Sequence, residues 1–179
     1  MKIALTVGHS KLANGCITSA DGRKYGGVNE YEFNKALAPL IAKYLKLKGH
    51  TVDIIVCPER KFKVSTEEKD YKLNIVNNGE YSLVIELHLN ASNSPSASGC
   101  EVLYLSDRGK AYANRIQAEL ANMFKSRGIV KRDNLYMLTQ TKPVSIMLET
   151  FFCTNSEECL LANNNKTRLA KAIANGIGK

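Results

Sequence analysis

The chain has 179 residues, which suits one domain around a single core, and 44% of them are hydrophobic with no low-complexity stretch, so a disordered chain is excluded. The net charge of +8 favours polyanionic partners such as anionic wall polymers, but the lysines are scattered among acids, as in Lys61, Lys63, Glu67, Glu68 and Lys69, with no recognition helix or basic tail, so nucleic acid is not an expected partner. No run approaches the roughly 18 apolar residues of a membrane span.

Residues 2–7 form an apolar, β-branched run that passes straight into a polar loop. They read as a first strand and not as a signal peptide, so synthesis in the cytoplasm without a leader is expected. Residues 8–28, rich in Gly, Ser, Asn and Asp, predict a long loop, a length that compact domains keep mostly for function. From about 29 to 48, Phe33, Leu37, Leu40, Ile41 and Tyr44 recur at helical spacing, with a kink expected near Pro39 and a stop at Gly49. A second strand is predicted over 51–56. A short helix should open on a Ser65–Glu68 capping box and stop before Gly79. Residues 82–89 are nearly apolar throughout, as in a central strand. After the small-residue loop Ser92–Gly99, a strand is expected over 100–105 and a helix over 107–127, with Tyr112, Ile116, Leu120 and Met123 buried. Short strands are expected near 134–138 and 144–150, a capping box at Thr154 and Glu157, and a last helix over 165–177.

This alternation predicts a single α/β domain over 1–179, a mixed, mostly parallel six-stranded sheet with helices on both faces. The five-residue link between the last two strands supplies the antiparallel pair. No further domain is expected in this chain. Five cysteines, an odd number without a Cys-x-x-Cys pair, read as reduced thiols rather than as disulfides or a four-cysteine zinc site.

Ligands of open α/β sheets bind beyond the carboxyl ends of the strands. His9 follows the first strand, His88 ends the central one and Glu149 ends the last. Glu30 opens the helix that returns from the long loop, and His50 falls on the opposite edge. Two imidazoles and a carboxylate with a fourth position left for water are a recurrent catalytic zinc set. Three such ligands leave the metal electrophilic, and a free carboxylate, Glu149, can then move the proton of water. Glu86 shares a strand face with His88. It could orient His88, touch substrate, or be a buried carboxylate satisfied by its neighbours, the reading we favour. Asn90 and Asn155 read as residues that fix loops, with Asn90 also a candidate, like Glu86, to orient a ligand or touch substrate. Phe151 and Phe152 read as one core and one rim residue.

Four segments carry a family resemblance: Val7-Gly8-His9-Ser10, Gly27-Val28-Asn29-Glu30, Glu86-Leu87-His88-Leu89-Asn90-Ala91 and Met147-Leu148-Glu149-Thr150-Phe151-Phe152-Cys153-Thr154-Asn155. In order and spacing the chain resembles the zinc-dependent N-acetylmuramoyl-L-alanine amidases, and closely the catalytic domains of clostridial phage endolysins. Thr6-Val7 stands where most relatives have Asp-Pro, and Glu86-Leu87 where most have Ser-Ile. The resemblance implies one zinc ion on His9, Glu30 and His88, with Glu149 as the catalytic carboxylate. It also implies hydrolysis of the amide between N-acetylmuramic acid and L-alanine in peptidoglycan, and action at the bacterial wall. Other readings stay open. A glycosidase would use Glu86 and Glu149 as paired carboxylates and ignore chelators, a zinc peptidase would release different amino termini, and a basic module would bind without cleaving.

Overall fold

The computed structural model describes residues 1–178. Its strands are β1 (Lys2–Val7), β2 (Thr51–Ile55), β3 (Leu83–Asn90), β4 (Cys100–Tyr104), β5 (Ser126–Lys131) and β6 (Val144–Phe152). They form one sheet in the order β2-β1-β3-β6-β4-β5. β2, β1, β3 and β6 are parallel, β4 runs antiparallel to β6, and β5 is parallel to β4. The helices are α1 (Glu30–Leu47), α2 (Thr66–Asn78), α3 (Asp107–Leu120), α4 (Tyr136–Thr139), α5 (Ser156–Asn164) and α6 (Lys166–Ile177). The expected mixed, mostly parallel six-stranded α/β domain is the observed one.

Alternation along β3 divides the molecule. Leu83, Ile85, Leu87 and Leu89 face the main core with α1, α3 and α6, where Phe151 packs between Phe33 and Phe124 at ring distances of 5.0 and 5.4 Å. Val84, Glu86, His88 and Asn90 face the other side. A smaller core of Ala4, Val84, Leu103 and Met147 there meets Val76 of α2 and Met137 and Leu138 of α4. These two short helices cover that face only in part, and the uncovered part is the cleft described below.

Several local expectations fail for physical reasons. The helix predicted to 127 ends at Leu120, and Ser126–Lys131 forms the edge strand β5 instead, half-exposed and so without a buried stripe. The strand expected at 134–138 is a single helical turn, α4. The antiparallel partner of β6 is therefore β4, not the preceding strand. Ser65 makes no side-chain cap; Glu67 accepts from the Lys63 and Val64 backbone N–H groups, and Glu68 turns to Thr18. The cap of α5 is Asn155, one residue beyond Thr154, accepting from the Glu158 N–H while its amide donates to the Ala97 carbonyl. Phe152 is buried like Phe151, under the Arg127 guanidinium. α1 runs through Pro39 from Glu30 to Leu47. All five cysteines are free thiols. Among the described residues no helix is long and apolar enough to cross a membrane.

α3 and α6 meet where Gly176 lacks a side chain: a Cβ there would lie 2.6 Å from the Ile116 Cα. Gly176→Ala must push these helices apart, and a destabilisation of about 1–3 kcal/mol is expected in urea unfolding. An unchanged midpoint would contradict this close approach.

Candidate active site

The site forms where the parallel strands end. Gly8 N–H donates to the Leu87 carbonyl, locking the end of β1 to β3, and His9 then leaves the sheet with φ 68°, a left-handed conformation uncommon for a residue with a Cβ. Gly8 has a steric role as well. A Cβ on it would stand 2.4–2.8 Å from atoms of the His88 ring, so only glycine lets that imidazole lie across the strand end. The loop after His9 is clamped to β6: the Val28 N–H donates to the Cys153 carbonyl, and a Cβ on Gly22 or Gly27 would meet that oxygen at 1.8 or 1.9 Å. Its return brings Asn29 to cap α1, accepting from the Glu32 N–H, and so sets Glu30 in the first helical turn.

Glu30 is buried between both imidazoles. Its Oε2 lies 3.1 Å from His9 Nε2 and its Oε1 2.9 Å from His88 Nδ1. The backbone N–H groups of Ala20 and Leu89 donate to the same two oxygens at 3.2 and 3.0 Å. The donor atoms of His9, Glu30 and His88 lie within 4.8 Å of one another. His50, expected on the opposite edge, lies there, away from this group, with Nε2 3.0 Å from the Gly178 carbonyl.

The strand register sets the rest. His88 stands beside Glu149 across β3 and β6, and Glu149 beside Glu101 across β6 and β4. One step along the same face lie Glu86, Met147, Leu103 and Val130 in neighbouring strands. These two rows form the floor of a cleft of about 390 Å³, whose wall includes Glu68 and Lys72 of α2, Leu135, Tyr136 and Arg132. Asn90 donates to Glu101 Oε1 at 3.2 Å and lines the cleft.

Electrostatics distinguish the carboxylates. Burial pushes the Glu149 carboxyl up to about 7, the negative charges of Glu30, Glu101 and Glu86 add to this, and His88 opposes it. Its Oε2 is buried without a hydrogen-bond partner among the described residues. Burial works against Glu30 as an anion too, but hydrogen bonds from His88 and His9 outweigh it and hold the group well below the usual carboxylate range. Glu86 is 1% exposed, and the Lys72 ammonium, 2.6 Å from its Oε1, overcomes the cost of burial and holds it at about 2. Lys72, Glu68 and Glu101 escaped the sequence reading. Lysines usually keep their head groups in water, and Glu101 lies at the amino end of an antiparallel strand, where the rule of carboxyl ends does not look.

The donor set fits a cation. In a chain of net charge +8, this cleft gathers Glu68, Glu86, Glu101 and Glu149 against Lys72 and Arg132, with Glu30 buried against His9 and His88. Two imidazoles and a carboxylate converge from three different elements, and a buried oxygen of Glu149 stands free beside them.

The sequence profile of the N-acetylmuramoyl-L-alanine amidase family (Amidase_3) matches residues 3–179. Among solved structures, the catalytic domain of the CD27L endolysin targeting Clostridia difficile is similar with a TM-score of 0.94 and 48% identity, over 99% of this chain and 96% of that one. The CwlD amidase from Clostridioides difficile, solved in complex with the GerS lipoprotein, shares the fold with a TM-score of 0.82 at 24% identity, over 98% and 95% of the two chains. The probable autolysin PH of Staphylococcus aureus is 28% identical over 194 residues, which is 98% of this chain and 38% of that protein. The chain thus spans well under half the length of that relative. With the profile matched from Ile3 to the end, the chain belongs to the N-acetylmuramoyl-L-alanine amidase family.

Proposed function

We propose that this domain is a zinc-dependent N-acetylmuramoyl-L-alanine amidase of the endolysin type, hydrolysing the amide between the lactyl group of N-acetylmuramic acid and L-alanine in peptidoglycan. The observation that carries the reading is the convergence of His9, Glu30 and His88 within 4.8 Å, beside a Glu149 carboxylate with one free buried oxygen. Family membership supports the bond assignment, and likeness to the CD27L catalytic domain supports action at the bacterial wall. The net charge of +8 suits approach to anionic wall polymers.

His9, Glu30 and His88 would hold the zinc ion. Bound there, zinc supplies the Lewis acidity that polarises a carbonyl and makes water a better nucleophile at neutral pH. The remaining work falls to the chain. Glu149 Oε2 takes a proton from the attacking water and returns it to the departing alanine nitrogen, so one group acts as base and then as acid. Its desolvated position makes it a stronger base than an exposed carboxylate would be. Leu103, Val130 and Met147 of the floor and Leu135 of the wall add apolar surface to an otherwise charged cleft.

Digestion of purified peptidoglycan is the test. New N-terminal L-alanine is expected, abolished by a zinc chelator and restored by added zinc. New reducing sugar ends or other amino termini would overturn the bond assignment, and chelator-resistant cleavage would overturn the metal. Glu149→Gln is expected to fold and keep its zinc while kcat falls by roughly 10²–10⁴-fold. Ordinary turnover in that variant would remove Glu149 from the mechanism.

A further inference from the structure

We propose that helix α2 is the positioning element of the metal centre: Glu68, through Thr18, orients His9, and Lys72, through Glu86, orients His88. The inference rests on reading His9, Glu30 and His88 as the zinc ligands. Each histidine presents one ring nitrogen to Glu30 and turns the other toward α2. His9 Nδ1 lies 3.5 Å from Thr18 Oγ1, and that hydroxyl donates to Glu68 Oε2 at 3.2 Å. The Ser10 N–H donates to the same Thr18 oxygen at 3.1 Å, which fixes the hydroxyl beside His9 Nδ1. His88 Nε2 faces Glu86 Oε2 at 3.6 Å, a buried oxygen without a hydrogen-bond partner among the described residues. The other oxygen of Glu86 accepts from Lys72 Nζ at 2.6 Å.

Glu68 and Lys72 are four residues apart, one above the other on a single face of α2. One helix face thus reaches beneath both imidazoles. Such placement has a chemical purpose. An imidazole that binds metal through one nitrogen carries its proton on the other, and an acceptor for that proton fixes both tautomer and ring direction. Lys72, 1% exposed and 5.4 Å from the Tyr136 ring centroid, lets Glu86 remain an anion in a buried position. A lysine buried this deeply has no access to water of its own, and Glu86 is the acceptor beside it.

Zinc affinity separates positioning from mere structure. Thr18→Val removes the link to His9, and Lys72→Met with Glu86→Leu removes the link to His88 without leaving a lone buried charge. Affinity is read by competition with a chelating dye, beside the melting midpoint of the zinc-stripped proteins. Each change is expected to weaken zinc binding by about 10–100-fold while the stripped protein melts near or above the wild type. Thr18→Ser, which keeps the hydroxyl, is expected to restore affinity. Wild-type affinity in Thr18→Val or in the double variant overturns the proposal, as does equal loss in Thr18→Ser and Thr18→Val. If the double variant fails to fold, Glu86→Gln decides the His88 arm by the same readout. Wild-type protein that takes up no zinc would instead sink the ligand assignment itself.

Discussion

The Glu30 carboxylate is 4% exposed and is contacted by His9, His88 and the backbone N–H groups of Ala20 and Leu89. A buried carboxylate left alone costs several kcal/mol, whereas a hydrogen bond to a charged group contributes roughly 1.5–3. Satisfying this one side chain therefore draws three separate segments together. The loop after β1 must close, α1 must begin at its Asn29 cap, and the end of β3 must present Leu89. The glycines of the loop follow from the same demand, since Gly22 and Gly27 can pass the Cys153 carbonyl only without a Cβ.

The rest of the molecule divides its work between the faces of the sheet. The face under α1, α3 and α6 is a dry core with the Phe33, Phe124 and Phe151 rings inside it. Among the described residues, the helices on the other face are α2 and the single turn α4, and a cleft remains between them. Strand register then does what chain order cannot. It sets His88, Glu149 and Glu101 side by side from three strands distant in sequence. Burial first, and then the acidity of this cleft inside a basic chain, make the Glu149 carboxyl hold its proton more tightly.

Much of this was legible in the sequence because burial leaves a period. The apolar runs of β1, β3 and β6 and the helical stripe of α1 marked the elements that carry His9, His88, Glu149 and Glu30. Where burial is partial the signal fails. Ser126–Lys131 is an edge strand with no clean alternation, and Leu-Tyr-Met-Leu-Thr over 135–139 has strand-like residues but closes a helical turn. The Ser65–Glu68 spacing satisfied a capping rule, yet the Glu68 carboxylate is taken by Thr18, 50 residues away in sequence. Tertiary contacts of that range leave no local trace. The same holds for Lys72, whose position on a helix with little amphipathic character gives no sign of its burial against Glu86.

X-ray absorption at the zinc edge of the reconstituted protein tests the central claim most directly, because it counts ligand types without reference to activity. Two imidazoles with oxygen donors completing the shell, and no sulfur, are expected. A sulfur-containing shell, or a histidine count other than two, would contradict the assignment of His9, Glu30 and His88.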